Sequence, residues 1–305
     1  MIKKTICFSN PAYLSLRNGQ LLVKIDAHDD CPQHQASLPV EDIGVVILDH
    51  RQITITSGAM QALVENNAAV VTCNDQHIPT GMILPLEGHT VQQERFEAQI
   101  GASLPLKKQL WQQTVVQKIR NQAAVLRETT ATETRNMLVW ASDVRSGDST
   151  NLEGRAAAYY WSQLFKTDVE GFVRDRSGLW PNPMLNYGYA IVRAVVARGL
   201  VSSGLLPTLG IHHHNRYNAY CLADDIMEPY RPYVDRLVVR LMDKYRGVEE
   251  INNDLKRELL GIPTMEVVIG GQRSPLMVAI SSTTASLAKC YSGELRKIAY
   301  PQIDG

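Results

Sequence analysis

The chain has 305 residues, of which 45% are hydrophobic and 20% charged, so it can bury a sizeable core and is not a disordered protein. The 31 Lys and Arg balance the 31 Asp and Glu, and a net charge of zero taken over the whole chain argues against a nucleic-acid partner. The charges are unevenly spread, however, because residues 1–90 carry five basic and nine acidic side chains, a net charge of −4 that leaves +4 for the remainder.

The cysteines indicate neither a disulfide framework nor a zinc ribbon, because they are odd in number, widely spaced and never form a C-x-x-C pair. They are Cys7, Cys31, Cys73, Cys221 and Cys290. The N-terminal segment has no long apolar run, so we do not expect a signal peptide, and no apolar run is long enough to span a membrane. These features together predict a protein of the reducing cytoplasm.

Residues 1–85 are predicted to form a small β-rich domain. Alternating and β-branched residues run through LSLRNGQLLVKI, where Asn18-Gly19 is a strong hairpin turn. Short strand patterns follow in VVILDH, QITIT and AAVVTC, and GAMQALVENN between the last two predicts one short helix. Gly81, Pro85 and Gly88 in GMILPLEGHT then indicate a linker, which we place at residues 86–95.

Residues 96–305 are predicted to form an all-α domain, so the fold class is α+β. Apolar residues recur at helical spacing from Leu110 to Leu126, and further helical patterns follow in NLEGRAAAYYWSQLF, LNYGYAIVRAVVARGLVSSG and VDRLVVRLMDKY. The segment VVIGG near residues 266–271 is the exception, since it fits either a short hairpin or a loop.

The most unusual string is LGIHHHNRYNAYCLADDIMEPYRPYVD, in which three histidines precede three acids. Asp225 and Glu228 are three residues apart, so their carboxylates would point the same way on a helix, although Pro229 favours a kink or helix end there. One His and two carboxylates at one place would suit Mn²⁺ or Mg²⁺ better than structural zinc. The alternative is that the acids cap a helix and the histidines lie in a surface loop.

Two further strings combine polar residues with a buried helical pattern. In SGDSTNLEGRAAAYYW, Glu153 falls in the first turn of a helix, where it either caps the helix or faces the histidines and acids. In WPNPMLNYGYAIVRAVVARGL, Asn186 is expected to orient its neighbours, since buried amides need partners. There is no phosphate-binding loop, dinucleotide fingerprint, H-E-x-x-H or G-x-S-x-G motif, which disfavours ATPases, zincins and α/β-hydrolases.

In order and spacing, these strings resemble the CRISPR-associated protein one family, the integrases of CRISPR adaptation, and the type II form most closely. The resemblance covers about residues 2–290 and includes SNPAYLSLRNGQLLV near the N-terminus. It implies a metal-dependent DNA endonuclease and integrase that inserts prespacer DNA into the CRISPR array. In this reaction a DNA 3′-hydroxyl attacks a repeat phosphodiester without a covalent enzyme intermediate.

The resemblance also implies the site residues, all of them in the helical domain. Glu153, His213 and Glu228 are the implied catalytic residues and ligands of Mn²⁺ or Mg²⁺. Asp225 ranks second to Glu228 as the acid, and a shift of one residue would replace His213 by His212 or His214. Basic side chains would hold the DNA backbone independently of its sequence, with Arg174, Arg176 and Arg193 as candidates.

The implied partners are double-stranded DNA, as prespacer and as repeat, and other proteins. The β-rich domain is implied to form a homodimer, and two dimers are bridged by CRISPR-associated protein two in a heterohexamer. The type II likeness adds effector and accessory proteins as candidate partners. Two alternatives remain open: a non-catalytic nucleic-acid-binding scaffold of the same fold, and an unrelated metal-dependent phosphodiesterase built on the histidines.

Overall fold

The computed structural model describes residues 3–25, 34–75 and 79–303 of the chain. Its contacts divide the chain into two compact units, Met1–Thr90 and Val91–Gly305. The division falls within residues 86–95, the predicted linker. Cys31 lies outside the described residues.

The described part of the first unit consists of short strands and one helix. In chain order these are Lys4–Phe8 (β1), Ala12–Arg17 (β2), Gln20–Ile25 (β3), His34–Pro39 (β4), Ile43–Leu48 (β5), Ile53–Ile55 (β6), Ser57–Glu65 (α1), Ala69–Cys73 (β7) and Pro79–Ile83 (β8). One sheet has the strand order β1-β5-β7-β8, with β1, β5 and β7 parallel and β8 antiparallel. The other has the order β4-β3-β2-β6, with β6 parallel to β2.

The local sequence explains the hairpin and the helix of this unit. Asn18 and Gly19 join β2 to β3 with φ angles of 51° and 70°, the left-handed conformation that a tight hairpin turn requires. The Thr56 side chain caps α1 by accepting a hydrogen bond from the Ala59 N–H. Leu14 and Leu21 from the hairpin and Leu63 from α1 are fully buried in one apolar cluster. The predicted strands, turn and helix are therefore confirmed.

The second unit is mainly helical. Its helices are Gln92–Ile100 (α2), Leu104–Thr129 (α3), Arg135–Asp143 (α4), Leu152–Leu164 (α5), Asn182–Ser202 (α6), Cys221–Met227 (α7), Arg231–Lys244 (α8), Asn253–Leu260 (α9) and Leu276–Tyr291 (α10). The strands Glu266–Ile269 (β9) and Gln272–Pro275 (β10) pair as an antiparallel hairpin. The predicted α+β class is confirmed, and this hairpin is the departure from an all-helical second unit.

Helix α3 lies at the centre of the second unit. It begins where the Ser103 side chain accepts a hydrogen bond from the Leu106 N–H, with Pro105 in the first turn, where its missing N–H costs nothing. It contacts α4, α5, α7 and α8, and its buried residues include Trp111, Ile119 and Leu126. Because α5, α7 and the α7–α8 junction carry Glu153, Asp225 and Glu228, α3 supports the acidic residues of the predicted site. No helix among the described residues is both long and apolar enough to cross a membrane.

Candidate active site

The loop that carries the three histidines is held in place by Asp225 of α7. The Asp225 side chain is fully buried, and its Oδ2 accepts hydrogen bonds from the N–H groups of Ile211 and His212 at 2.7 and 2.9 Å. Its Oδ1 lies 3.2 Å from the His213 N–H and 2.5 Å from His213 Nδ1. A single carboxylate thus determines both the path of the loop and the orientation of the His213 ring.

Glycine is required where the loop passes α7. A Cβ built on Gly210 would lie 2.3 Å from the His213 carbonyl oxygen and 2.9 Å from Asp225 Oδ2. No larger residue can occupy this position without moving the loop. Gly210 therefore belongs to the structural support of His213.

Trp111 of α3 forms a flat surface against which the histidines pack. Its ring stacks on the His212 ring with centroids 4.1 Å apart and planes 1° from parallel, and it contacts the His213 ring edge-on at 5.7 Å. The pKa of His212 is lowered, chiefly by burial. The stacked His212 ring is therefore expected to be neutral and to act as a packing group.

His213 is held differently from His212. The hydrogen bond with Asp225 raises the pKa of His213, and the negative charges of Asp225, Glu228 and Glu153 add to this effect. Its side chain is 46% exposed, and Asp225 engages Nδ1, which leaves Nε2 as the ring nitrogen available to a ligand. A carboxylate on the second nitrogen is the usual support of a metal-binding or catalytic histidine.

Glu153 lies in the first turn of α5, but other residues cap this helix. Asp148 accepts hydrogen bonds from the Leu152 and Glu153 N–H groups at 2.9 Å each, and the Asn151 side chain accepts one from the Gly154 N–H. The Glu153 carboxylate is therefore free of the capping role that the sequence left open. It points instead to Lys118 of α3, with Oε1 and Nζ 2.6 Å apart.

Glu228 stands at the junction between α7 and α8, in a short 3₁₀ turn formed by Glu228–Tyr230. Its Oε2 lies 2.6 Å from Lys118 Nζ, and its Oε1 lies 2.9 Å from Arg231 Nε. Burial would raise the pKa of Glu228, but the charges of Arg231 and Lys118 outweigh it and lower the pKa to about 2. Glu228 is therefore a buried carboxylate that stays ionised.

Lys118 connects two segments that are distant in the sequence. Its ammonium group contacts both Glu153 and Glu228, and its side chain is only 12% exposed. Burial lowers the pKa of this ammonium, but the two carboxylates outweigh that effect and raise it. Lys118, Glu153 and Glu228 thus form a charged cluster, whose carboxylates also act electrostatically on His213.

The structure separates the roles of the two acids that the sequence placed side by side. Asp225 lies within α7 and contacts the histidine loop. Glu228 lies just beyond the end of α7 at Met227 and contacts Lys118 and Arg231. The Asp225 oxygens already accept four hydrogen bonds. The geometry favours Glu228 as a ligand and Asp225 as the group that positions His213.

The three candidate DNA-binding arginines have different surroundings. Arg174 donates to the Asn182 and Asn186 side chains, so it holds a loop to α6 as well as carrying a charge. Arg193 pairs with Asp224, with Nε 2.6 Å from Oδ1. The Arg176 side chain is exposed, and its carbonyl accepts a hydrogen bond from Asn186. Binding of DNA by any of them remains a prediction.

The predicted metal ligands are suitable donor types, but they are not arranged as a preformed coordination site. Two carboxylates converge on one cation, and a histidine with a free Nε2 lies within their electrostatic reach, a donor set that suits Mn²⁺ or Mg²⁺. In the described part of the chain, however, no three His, Cys, Asp or Glu side chains are arranged to hold a metal ion. The ammonium of Lys118 lies between the two carboxylates, where such an ion would have to bind.

Sequence reasoning missed Lys118 and Trp111. The two residues are seven apart on α3, which places them on the same helix face, and Trp111 is buried there. The seven-residue spacing between Trp111 and Lys118 was the available signal that Lys118 lies on the buried face of the helix.

The chain was compared with known proteins. The model of the family "CRISPR associated protein Cas1" matches residues 6–256. A CRISPR-associated endonuclease Cas1 of Neisseria meningitidis serogroup C is 37% identical over 287 residues, which cover 94% of this chain and 91% of the relative.

Solved structures show the same fold at lower identity. A casposase bound to its integration product matches with a TM-score of 0.78 and 18% identity over 98% of this chain and 92% of its own. A chain of a Cas6-RT-Cas1–Cas2 complex matches with a TM-score of 0.74 and 19% identity, over 97% of this chain and 35% of its own.

Proposed function

The chain belongs to the Cas1 family of CRISPR-associated endonucleases and integrases, and on that premise we propose that it inserts prespacer DNA into a CRISPR array. One observation supports this proposal above the others. Glu153 from α5 and Glu228 from the α7–α8 junction meet at Lys118, beside a His213 ring that Asp225 orients. Glu153, His213 and Glu228 are the residues that the family resemblance assigns to the site, with Asp225 ranked second.

The reaction is a strand transfer between DNA molecules. The 3′-hydroxyl of the incoming strand attacks a phosphorus atom of the repeat, a new P–O bond forms, and the bond to the repeat's own 3′-oxygen breaks. The attacking hydroxyl gives up its proton as it bonds to phosphorus, and the released oxygen takes up a proton and leaves as a new 3′-hydroxyl. One phosphodiester replaces another, so no covalent enzyme intermediate is needed.

Glu153, Glu228 and His213 Nε2 would hold Mn²⁺ or Mg²⁺ in the active protein. Such an ion stabilises the charge that develops on the attacking and leaving oxygens. The protein's own contribution is to keep the Glu228 carboxylate ionised and to orient His213. Arg231 serves this purpose at Glu228 through its 2.9 Å contact, and Asp225 keeps the His213 ring turned so that Nε2 faces away from it.

Asp235 and two tyrosines form a second layer of contacts behind Arg231, the partner of Glu228. Arg231 also lies over the ring of Tyr189, 4.6 Å from its centroid. Tyr189 and Tyr160 both donate hydrogen bonds to Asp235, which is buried in α8. A polar network therefore runs from Glu228 through Arg231 to the helix interior, and it fixes the junction that carries Glu228.

The partners follow from the same proposal. The substrates are double-stranded DNA, as prespacer and as repeat, and Arg174, Arg176 and Arg193 contribute positive charge toward its backbone. A homodimer through the β-rich unit, joined by Cas2 into a heterohexamer, is the proposed working assembly, and type II effector and accessory proteins are candidate partners. The matching chain of a Cas6-RT-Cas1–Cas2 complex supports the choice of Cas2.

A strand-transfer assay tests this function. The purified chain and its Cas2 partner are incubated with labelled prespacer DNA and a plasmid that carries a CRISPR repeat. We expect labelled DNA to become joined to the plasmid with Mn²⁺ or Mg²⁺, and joining to stop when EDTA removes the ion. DNA binding without joining would show a scaffold instead, and joining that survives EDTA would contradict the metal dependence.

A further inference from the structure

Lys118 lies at the centre of the candidate site, and neither the sequence nor the family resemblance gave it a role. Its Nζ lies 2.6 Å from Glu153 Oε1 and 2.6 Å from Glu228 Oε2. The side chain reaches these atoms from α3, at a position where the helix is largely buried. A buried lysine between two carboxylates calls for an explanation, because lysines are rarely buried without a specific purpose.

Lys118 and a divalent cation cannot share this place. The ammonium contacts one oxygen of each carboxylate and occupies the space between Glu153 and Glu228, so an ion held by both carboxylates would have to take its place. Two cations so close together in a half-buried site would also repel each other strongly. Binding of an ion to both carboxylates therefore requires Lys118 to leave.

The rest of the site is built to tolerate that departure. Glu228 keeps a second positive partner, because Arg231 Nε contacts its other oxygen at 2.9 Å. Glu153 is 21% exposed, so water can reach its carboxylate. The Lys118 ammonium is attached through four flexible methylene groups, so the charge can move several ångströms without a change in the helix.

We propose that Lys118 is a built-in substitute for the metal ion. In the metal-free protein its ammonium neutralises Glu153 and Glu228 and holds them together, and the arriving ion displaces it. This inference rests on the proposed function, since it takes Glu153 and Glu228 as metal ligands. Its consequence is that Lys118 stabilises the metal-free protein and competes with the ion, and so lowers metal affinity.

Calorimetric titration with Mn²⁺ tests the proposal without any activity measurement. Lys118→Met keeps most of the length and the apolar character of the stem but removes the charge. We expect this variant to bind Mn²⁺ about tenfold more tightly than the wild type and, without metal, to melt at a lower temperature. Its melting temperature should then rise more steeply with added Mn²⁺ than that of the wild type, as binding to the folded state demands.

Two further variants serve as controls. Lys289→Met removes an exposed lysine of α10, which is not a member of the cluster of Lys118, Glu153 and Glu228, and should leave Mn²⁺ affinity unchanged. Lys118→Arg retains the charge on a larger, permanently ionised group, so it should bind Mn²⁺ no better than the wild type, even if Lys118→Met fails to fold. Tighter binding by Lys118→Arg would overturn the proposal.

The outcomes separate this inference from the proposed function. If the wild type binds Mn²⁺ and Lys118→Met binds it equally or more weakly, Lys118 is a structural partner of the carboxylates, and the inference fails while the metal site stands. If neither protein binds Mn²⁺, the metal site itself fails and the inference fails with it.

Discussion

His213 Nδ1 lies 2.5 Å from Asp225 Oδ1, and the same carboxylate accepts hydrogen bonds from three successive backbone N–H groups of the histidine loop. The acid and the histidine are therefore not two equal ligands of one ion. Asp225 determines where His213 lies and which ring nitrogen it offers.

Replacing Asp225 by Asn should reduce strand transfer strongly while the protein remains folded. The amide keeps one oxygen for the loop N–H groups but lacks the negative charge that favours a proton on His213 Nδ1. Loss of such a supporting group typically costs about 10–100-fold in activity or metal affinity. The test compares strand-transfer rates and circular dichroism of Asp225→Asn with those of the wild type; equal rates would show that the carboxylate only packs.

The tight passage of the loop at Gly210 gives a second prediction. Because a Cβ there would meet the His213 carbonyl oxygen at 2.3 Å, Gly210→Ala should displace the loop and lower strand transfer at least about tenfold. The strain should also lower the free energy of unfolding by ~1–3 kcal/mol. The matched control is Gly58→Ala in α1, where a Cβ would meet no described atom within 4 Å and activity should not change.

The stacked pair of Trp111 and His212 gives a third prediction. The Trp111 N–H makes no hydrogen bond within the described residues, so replacing the indole loses packing alone. Trp111→Phe keeps an aromatic face against His212 and should retain most of the strand-transfer rate. Trp111→Leu should lower the rate further and cost ~2–4 kcal/mol of stability in urea unfolding. Equal losses in the two variants would argue that stacking is unimportant.

Asp235 should make stability depend on pH. Burial raises the pKa of Asp235 to about 7, although hydrogen bonds from Tyr189 and Tyr160 oppose the shift. Between about pH 4 and pH 7 the folded protein therefore keeps a proton that the unfolded chain has released, so this group's contribution to stability falls as pH rises.

Asp235→Asn removes that titration. We expect the free energy of unfolding of the wild type, relative to the variant, to fall by a few kcal/mol between about pH 4 and pH 7 and to change little above pH 8. Urea unfolding of both proteins across this range measures the difference. A constant difference between the two curves would show that Asp235 titrates normally.

The fold was largely predictable from the sequence because it depends on local signals. Asn18-Gly19 requires a hairpin turn wherever it lies between strands, and the alternating residues beside it place the buried face. The break between α2 and α3, at Ser103 and Pro105, likewise follows from local capping. The role of Glu153 was harder to predict, because only the packing of α5 on α3 decides whether its side chain caps the helix or belongs to the site.

The support of the site was not predictable, because it depends on contacts between distant segments. The histidine loop folds back onto α7, and this gives Asp225 its hydrogen-bond partners. Lys118 would be read as an exposed residue of an amphipathic helix, and only the packing of α5 and of the α7–α8 junction against α3 makes it a partner of two carboxylates.

The most direct test of the central claim compares two neighbouring histidines in the strand-transfer assay. The His213 ring is held by Asp225 and is acted on by the charges of Glu153 and Glu228, and His214 is the next residue, exposed like His213. We predict that His213→Ala folds but joins no prespacer DNA to the repeat plasmid, while His214→Ala joins it at the wild-type rate. Full integration activity in His213→Ala would contradict the assignment of the site.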